Sequence, residues 1–222
     1  MIKAHNLVKA YGERTVLKIL SLTVNKGETL VIVGPNGSGK STLLKIIAGV
    51  IEKTSGECRA EGKIYYLPQK NIPFRKSVRD NLLFSADNTN EKEKRCDDIL
   101  EKLGLACLAD KNAAKLSGGE CQRLCLGRVL INKGDFLLLD EPSSAADIEG
   151  TQLIEKAIRE YKDKTGCGII MTTHSPRQAK ELADRIIMLR NGEIVEEGST
   201  AELLTNPKTE WGKKFIDSWK ID

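Results

Sequence analysis

Residues 34–42, GPNGSGKST, have the composition of a loop that binds phosphate groups. They fit the pattern G-x-x-x-x-G-K-[ST], and they lie between the apolar run LVIV and a segment with helical spacing, the context that such a loop needs. Glycines let backbone N–H groups converge on phosphate oxygens, and a helix start adds partial positive charge. We therefore expect Lys40 to reach the β- and γ-phosphates of a nucleotide and the Ser41 hydroxyl to bind Mg²⁺. The context disfavours the alternative, a glycine-rich turn that matches by chance.

An acidic pair follows the apolar run FLLL, in the stretch 136–141. Such a run predicts a buried strand that delivers Asp140 to the carboxyl edge of a sheet, where open α/β sheets bind ligands. Because Mg²⁺ prefers hard oxygen ligands, Asp140 is the predicted metal ligand, directly or through water. Glu141 is the predicted general base for the attacking water. On local evidence alone a cap of the turn before Pro142 would be the favoured interpretation, but the upstream loop favours catalysis.

Three further residues could serve the same site. His174 ends another apolar run, so it could contact the γ-phosphate and hold the attacking water, although a lone histidine is more often structural. Gln69 follows the short apolar stretch IYYLP and could sense Mg²⁺ or that water, although alone it looks like any exposed glutamine. Tyr11 could stack on adenine, and its alternative role is packing on the first hairpin.

The stretch LSGGECQRL at 116–124 has the profile of a second anion-binding helix start. A serine and two glycines precede a run with helical spacing, but the lysine of the first loop is missing. The sequence alone does not explain why one chain needs two such sites.

The elements that would position these residues alternate between strands and helices, which predicts an α/β fold around a mainly parallel sheet. Residues 77–108 have the pattern of a charged helical segment, and residues 56–69 that of a trimmed antiparallel hairpin. The remaining predictions are strands at 30–34, 63–69, 135–142 and 167–174, helices at 41–50, 151–163 and after Ser175, and a hairpin at 185–198 with an Asn191–Gly192 turn.

Composition excludes several classes of protein. The 222 residues are 40% hydrophobic and 30% charged with a net charge of +4, which fits a globular domain without a concentrated nucleic-acid-binding stripe. Six cysteines without a CxxC pair and only two histidines argue against a structural zinc site. We expect no signal peptide, no membrane span, a reducing compartment and no nucleic-acid partner.

Tyr11, GPNGSGKST, Gln69, LSGGE, FLLLDEP, SSAAD and THS together resemble, in order and spacing, the ATP-binding subunits of ABC transporters. LSGGE is the most specific of these motifs, because most other P-loop proteins lack it. The resemblance implies a P-loop NTPase core with a mainly parallel sheet, a small antiparallel β subdomain and a helical insertion subdomain at about 70–118. It also implies a single ATP-binding domain over residues 1–222.

The same resemblance implies ATP and Mg²⁺ as cofactors and assigns the site residues. The metal set would be Ser41, Gln69 and Asp140, and the catalytic set Lys40, Gln69, Glu141 and His174. The nucleotide-binding set would be Tyr11, Gly34, Pro35, Asn36, Gly37, Ser38, Gly39, Lys40, Ser41, Thr42, Ser117, Gly118, Gly119 and Glu120.

The resemblance also implies partners. Two copies would pair head to tail, so that the LSGGE motif of one copy covers ATP on the P-loop of the other, and Asp147 would lie near this seam. A separate transmembrane permease would bind the helical subdomain, nearest residues 71–82, with a substrate-binding protein completing a prokaryotic importer. The chain would then be cytoplasmic and peripheral on the membrane. Residues 173–198 look most similar to subunits of tungstate or phosphate importers. The alternative is a soluble ABC-type ATPase, for example in iron–sulfur cluster assembly.

Three features depart from this family pattern or lie outside it. Gly127 lies inside a predicted helix, where glycine costs about 1 kcal/mol relative to alanine, so we expect it to permit close packing. Cys121 and Cys125 are four residues apart on that helix, and packing is favoured over metal binding. The tail, a helix predicted at about 207–220, carries Trp211, Phe215 and Trp219 on one face. Packing on its own domain is favoured over a membrane or partner contact.

Overall fold

The protein is described here by a computed structural model that covers residues 1–70 and 72–219. Its strands are β1 (Ile2–Tyr11), β2 (Arg14–Val24), β3 (Thr29–Val33), β4 (Ser55–Ala60), β5 (Ile64–Leu67), β6 (Phe136–Asp140), β7 (Gly168–Thr172), β8 (Arg185–Arg190) and β9 (Glu193–Ser199). Its α-helices are α1 (Lys40–Ile47), α2 (Val78–Ser85), α3 (Lys92–Lys102), α4 (Gly118–Leu130), α5 (Ile148–Thr165), α6 (Pro176–Leu182), α7 (Thr200–Thr205) and α8 (Glu210–Asp217).

The larger sheet has the order β5-β6-β7-β3-β8-β9, and every pair is parallel except β8–β9. Strands β3, β6 and β7 are buried along their whole length, as continuous apolar runs in a parallel sheet require. Because these strands are parallel neighbours, their carboxyl ends meet at one edge. The α/β class and the mainly parallel sheet predicted from the sequence are confirmed.

The smaller sheet is antiparallel, with the order β2-β1-β4. The prediction of one antiparallel hairpin over residues 56–69 is wrong. Its first half, β4, pairs with β1, whereas its second half, β5, joins the larger sheet parallel to β6. Gly62, with φ of 97°, lies in the short connection between them. The apolar run IYYL of β5 pairs with the buried run FLLL of β6. In a hairpin with β4, this apolar run would lack a buried neighbouring strand.

Helices α2, α3 and α4 fill the connection between β5 and β6, together with two short 3₁₀ turns. Residue 71, the first of the predicted 71–82 contact segment, lies outside the described residues. A Cβ at Gly127 would lie 2.9 Å from Ile99 and 3.0 Å from both Leu103 and Leu82. The predicted close packing of α4 at this glycine is therefore confirmed, against both α2 and α3.

Helix α5 begins three residues before the predicted start at residue 151. The Asp147 side chain caps the helix by accepting a hydrogen bond from the Gly150 backbone N–H at 2.7 Å. The predicted β8–β9 hairpin is confirmed, and its turn residues Asn191 and Gly192 both have positive φ, at 50° and 83°.

The C-terminal helix carries a ladder of three aromatic rings. Centroids of Trp211 and Phe215 are 5.0 Å apart, and those of Phe215 and Trp219 are 5.1 Å apart. All three pack against the main hydrophobic core, which supports the interpretation of packing on the chain's own domain. The predicted tail helix at 207–220 is shorter, Glu210–Asp217, and residue 220 lies outside the described residues.

Cys125 is buried on α4, and burial raises the pKa of its thiol to about 12. Within residues 1–70 and 72–219, no group of three or more His, Cys, Asp or Glu side chains could hold a metal ion. The burial of Cys125 favours packing for this cysteine. In the same described ranges, no helix is both long enough and apolar enough to cross a membrane.

Candidate active site

The phosphate-binding loop connects β3 to α1, as its sequence predicts. Gly34, Gly37 and Gly39 have φ of 149°, 77° and 106°, conformations that side chains rarely adopt. A Cβ at Gly34 would lie 2.1 Å from the carbonyl oxygen of Leu189, so any other residue would clash with β8. Gly37 has open space around it, which leaves room for a ligand.

Lys40 begins α1 and turns its ammonium back over the loop. Its Nζ donates to the carbonyl oxygens of Gly34 at 2.8 Å and Pro35 at 3.1 Å. Burial lowers the pKa of this lysine, and the negative charges of Glu141 and Asp140 partly oppose that effect. The ammonium is therefore held near the loop in an environment that favours an additional anion.

Glu141 lies between two partners at the carboxyl edge of the sheet. Gln69 Nε2 donates to its Oε2 at 3.0 Å, and His174 Nε2 lies 3.0 Å from its Oε1. The side chain of Glu141 is 15% exposed and that of His174 is 43% exposed. Glu141 also has φ of 51°, which is uncommon for a non-glycine residue and marks a constrained turn. Three residues from three separate strand ends are thus brought together.

Asp140 is almost fully buried beside this turn. Its Oδ1 accepts from the Thr172 hydroxyl at 2.6 Å, and the same hydroxyl oxygen accepts from the Glu141 backbone N–H at 3.0 Å. Asp140, Ser41 and the Gln69 carbonyl provide the hard oxygen donors that Mg²⁺ prefers. In the loop itself, the buried Ser38 Oγ has no hydrogen-bond partner among the described residues. These residues fit a magnesium nucleotide.

An open cleft of about 510 Å³ lies over the loop, and Gln69 and Glu141 line it together with residues 36–42. Arg14 and Val16 also line it, which the sequence analysis did not predict. Arg14 follows the YG turn in an otherwise ordinary strand pattern, so no local signal marks it. Tyr11 is not among the lining residues; it is exposed near the β1–β2 turn, with the Lys9 ammonium 4.7 Å from its ring centroid.

The LSGGE motif begins α4. The Ser117 hydroxyl accepts from the Glu120 N–H at 3.3 Å, and the Glu120 carboxylate accepts from the Ser117 N–H at 2.7 Å, a complete capping box. Ser117 and Gly118 are exposed, whereas a Cβ at Gly119 would lie 3.2 Å from the Ala145 carbonyl. None of residues 117–120 is among those that line the P-loop cleft.

Gln122 is a site residue that the sequence analysis missed. It is 3% exposed, and its Nε2 donates to the Glu141 carbonyl at 2.9 Å. Its Oε1 accepts from the Ala145 N–H at 2.7 Å. The available signal was a polar residue on the buried side of the helix that follows LSGGE. Gln122 thereby connects that helix to the loop after Glu141.

Comparisons with known proteins agree with this geometry. Residues 17–144, more than half of the chain, match the family model described as ABC transporter. The tungstate uptake system ATP-binding protein TupC of Peptoclostridium acidaminophilum is 38% identical over 207 residues, which cover 88% of this chain and 97% of that protein. A spermidine/putrescine import ATP-binding protein, PotA of Spiroplasma citri, is 33% identical over 100% of this chain and 68% of its own length.

A solved structure gives the same result. A dimeric ATP-binding cassette in a post-hydrolysis state, bound to ADP and Pi, superposes with a TM-score of 0.81 at 29% identity. The match covers 90% of this chain and 99% of that one. The chain therefore belongs to the family of ATP-binding subunits of ABC transporters, the ATPases that drive transport.

Proposed function

We propose that this ATPase works as a head-to-tail dimer, in which two copies enclose ATP between one P-loop and the other copy's LSGGE helix. The observation that carries this proposal is the separation of the two anion-binding helix starts. The cleft over residues 36–42 is open, and Ser117 is exposed but is not among the residues that line it. Ser117, Gly118, Gly119 and Glu120 would then cover the γ-phosphate in the partner's cleft, with Asp147 near the seam.

The site residues have distinct proposed roles. Lys40 moves from the carbonyls of Gly34 and Pro35 to the β- and γ-phosphates, and the backbone N–H groups of residues 34–42 bind the remaining oxygens. Ser41, Gln69 and Asp140 would hold Mg²⁺, which neutralises phosphate charge when bound.

Glu141 accepts a proton from the attacking water, and His174 orients the Glu141 carboxylate and contacts the γ-phosphate. Tyr11 stacks on adenine, which requires the exposed β1–β2 turn to approach the cleft. ATP thus joins the copies, and loss of the γ-phosphate loosens them.

The proposed setting is a prokaryotic importer. The whole chain would form one ATP-binding domain, with the helices of the 70–118 segment binding a separate transmembrane permease at the cytoplasmic face of the membrane. A substrate-binding protein would complete the system. Tungstate or a related oxyanion is the proposed cargo, because the tungstate-system relative is the more similar of the two relatives compared above. The competing proposal is an ABC-type ATPase without a membrane partner, as in iron–sulfur cluster assembly.

Isolation of the tagged chain from its own cells tests this setting. We expect it to co-purify with a multi-spanning membrane protein. In lipid vesicles, the complex should hydrolyse ATP faster when a binding protein loaded with tungstate is added than when spermidine is supplied. A chain that is isolated from the soluble fraction without any membrane protein would favour the competing proposal.

A further inference from the structure

Two buried glutamines hold the loop that follows Glu141. Gln122 contacts this loop from α4, as described above. Gln178 contacts it from α6, where it is 0% exposed and donates through Nε2 to the Ser143 hydroxyl at 3.0 Å. The loop is therefore held from two helices that begin at two different motifs.

Gln178 is also tied to the segment that carries His174. Helix α6 begins at Pro176, two residues after that histidine. Ser175 caps the helix by accepting a hydrogen bond from the Gln178 backbone N–H at 3.3 Å. The backbone of Gln178 thus belongs to the His174 side of the site, whereas its side chain holds the loop on the Glu141 side.

Gln178 is buried among polar groups, which a side chain that served only to fill the core would not need. Its Nε2 lies 3.5 Å from Oε1 of Glu155, a carboxyl that is 3% exposed and whose pKa is raised by burial and by Glu181. Its own Oε1 is buried without a hydrogen-bond partner among the described residues. An orphaned buried acceptor is costly, and an apolar side chain of similar size would avoid that cost. The contacts of the amide nitrogen are therefore the best explanation for glutamine at this position.

We propose that Gln178 is a positioning residue for ATP hydrolysis: through Ser143, it fixes the His174 segment relative to Glu141. This inference rests on the proposed roles of Glu141 and His174. Glu141 has a positive φ that its surroundings must maintain, and its carboxylate meets His174 at a single 3.0 Å contact. A small displacement of one segment would break that contact without affecting the P-loop.

Gln178→Leu and Ser143→Ala remove the two ends of this connection. In the full purified chain, we expect each change to lower kcat by about 10-fold with KM and ATP affinity unchanged, because misplaced groups slow the chemical step. The double variant should be no slower than either single variant, since both remove the same contact. Ser143 is only half-buried, so Ser143→Ala carries the test even where Gln178→Leu does not fold.

The same changes in a His174→Ala background separate positioning from general structural support. If Gln178 acts through His174, Gln178→Leu and Ser143→Ala should cause no further loss of kcat in that background. Single-turnover assays should likewise show no further fall in the rate constant for hydrolysis of bound ATP. Losses that multiply, or wild-type kcat in both single variants, would overturn the inference. If Glu141→Gln and His174→Ala themselves retained wild-type kcat, the proposed function would fail first, and the two failures are thereby distinguishable.

Discussion

His174 Nε2 lies 3.0 Å from Glu141 Oε1, and this contact joins the ends of β6 and β7, which are neighbours in the larger sheet. With a proton on Nε2, the histidine donates to the carboxylate and fixes its direction. Gln69 donates to the other carboxylate oxygen at 3.0 Å, so both oxygens of the proposed base have a defined partner.

Replacement of His174 by alanine should therefore slow hydrolysis without preventing nucleotide binding. We expect His174→Ala to lower kcat by about 100-fold, because a general base that loses its orientation loses most of its contribution. The dissociation constant for ATP, measured by calorimetry, should stay near the wild-type value. As a comparison, Gln69→Ala removes the second partner. A His174→Ala chain with full kcat would remove the histidine from the mechanism.

Arg14 should contribute to nucleotide affinity although no motif marks it. It lines the cleft, and its side chain is exposed. We expect Arg14→Ala to weaken ATP binding by about 10-fold, in line with a hydrogen bond to a charged group. Arg14→Lys keeps the charge and should lose less. The effect should shrink as salt increases; equal affinity in Arg14→Ala at low salt would contradict it.

Glu120 should stabilise α4 in a pH-dependent way. The Ser117 backbone N–H lowers the pKa of this carboxyl below its ordinary 4.5. Because the folded-state pKa is depressed, the stabilisation is present above pH 4.5 and is lost as pH falls through the folded-state value. Glu120→Ala should cost about 1 kcal/mol in the free energy of unfolding at neutral pH, and this difference should disappear in acid.

Glu202 provides the matched control for Glu120. It forms an equivalent capping box with Ser199 at the start of α7, and hydrogen bonds from the Ser199 hydroxyl and backbone N–H lower its pKa. Glu202→Ala should change stability with the same dependence on pH but leave ATP-dependent dimer formation intact. Glu120→Ala should weaken dimer formation as well, because it loosens Ser117. Identical dimerisation in the two variants would argue against a role for the Ser117 end of α4 in the interface.

Gly127 should resist enlargement despite its position inside a helix. Alanine would gain about 1 kcal/mol of helix propensity, but its methyl group would press on Leu82, Ile99 and Leu103 at about 3 Å. Since overpacking costs about 1–3 kcal/mol, we expect Gly127→Ala to unfold at lower urea concentration. Gly198→Ala, where the nearest atom would be 3.8 Å away, is the control. A more stable Gly127→Ala chain with unchanged ATPase activity would show that the packing is not tight.

The sequence predicted those parts of the fold in which local pattern and tertiary environment agree. The runs LVIV and FLLL have the length and composition of buried strands, and the glycine loop required a strand before it and a helix after it. The hairpin predicted over β4 and β5 is wrong, because pairing partners far along the chain decide which sheet a short strand joins. The start of α5 is set by the Asp147 cap. The apolar periodicity from which the helix was predicted does not reveal a capping residue.

The sequence identified the site residues that belong to motifs, but it did not identify the buried residues that hold those motifs in place. Gln69, Glu141 and His174 were singled out, and the structure brings them into contact, although their catalytic roles stay predictions. Gln122 and Gln178 were not singled out, because the signal of each is a polar residue on a helix face, and the structure is needed to show that the face is buried. The two anion-binding helix starts in one chain were noticed, but only pairing with a second copy would explain them.

The dimer is the central claim, and the mass of the Glu141→Gln chain in solution tests it most directly. With Mg-ATP, this variant should form a stable dimer by light scattering coupled to size exclusion, and with ADP it should remain a monomer. Adding Ser117→Arg to the same chain should abolish the dimer while leaving ATP bound to the monomer. A Glu141→Gln chain that binds Mg-ATP yet stays monomeric at high protein concentration would contradict the account.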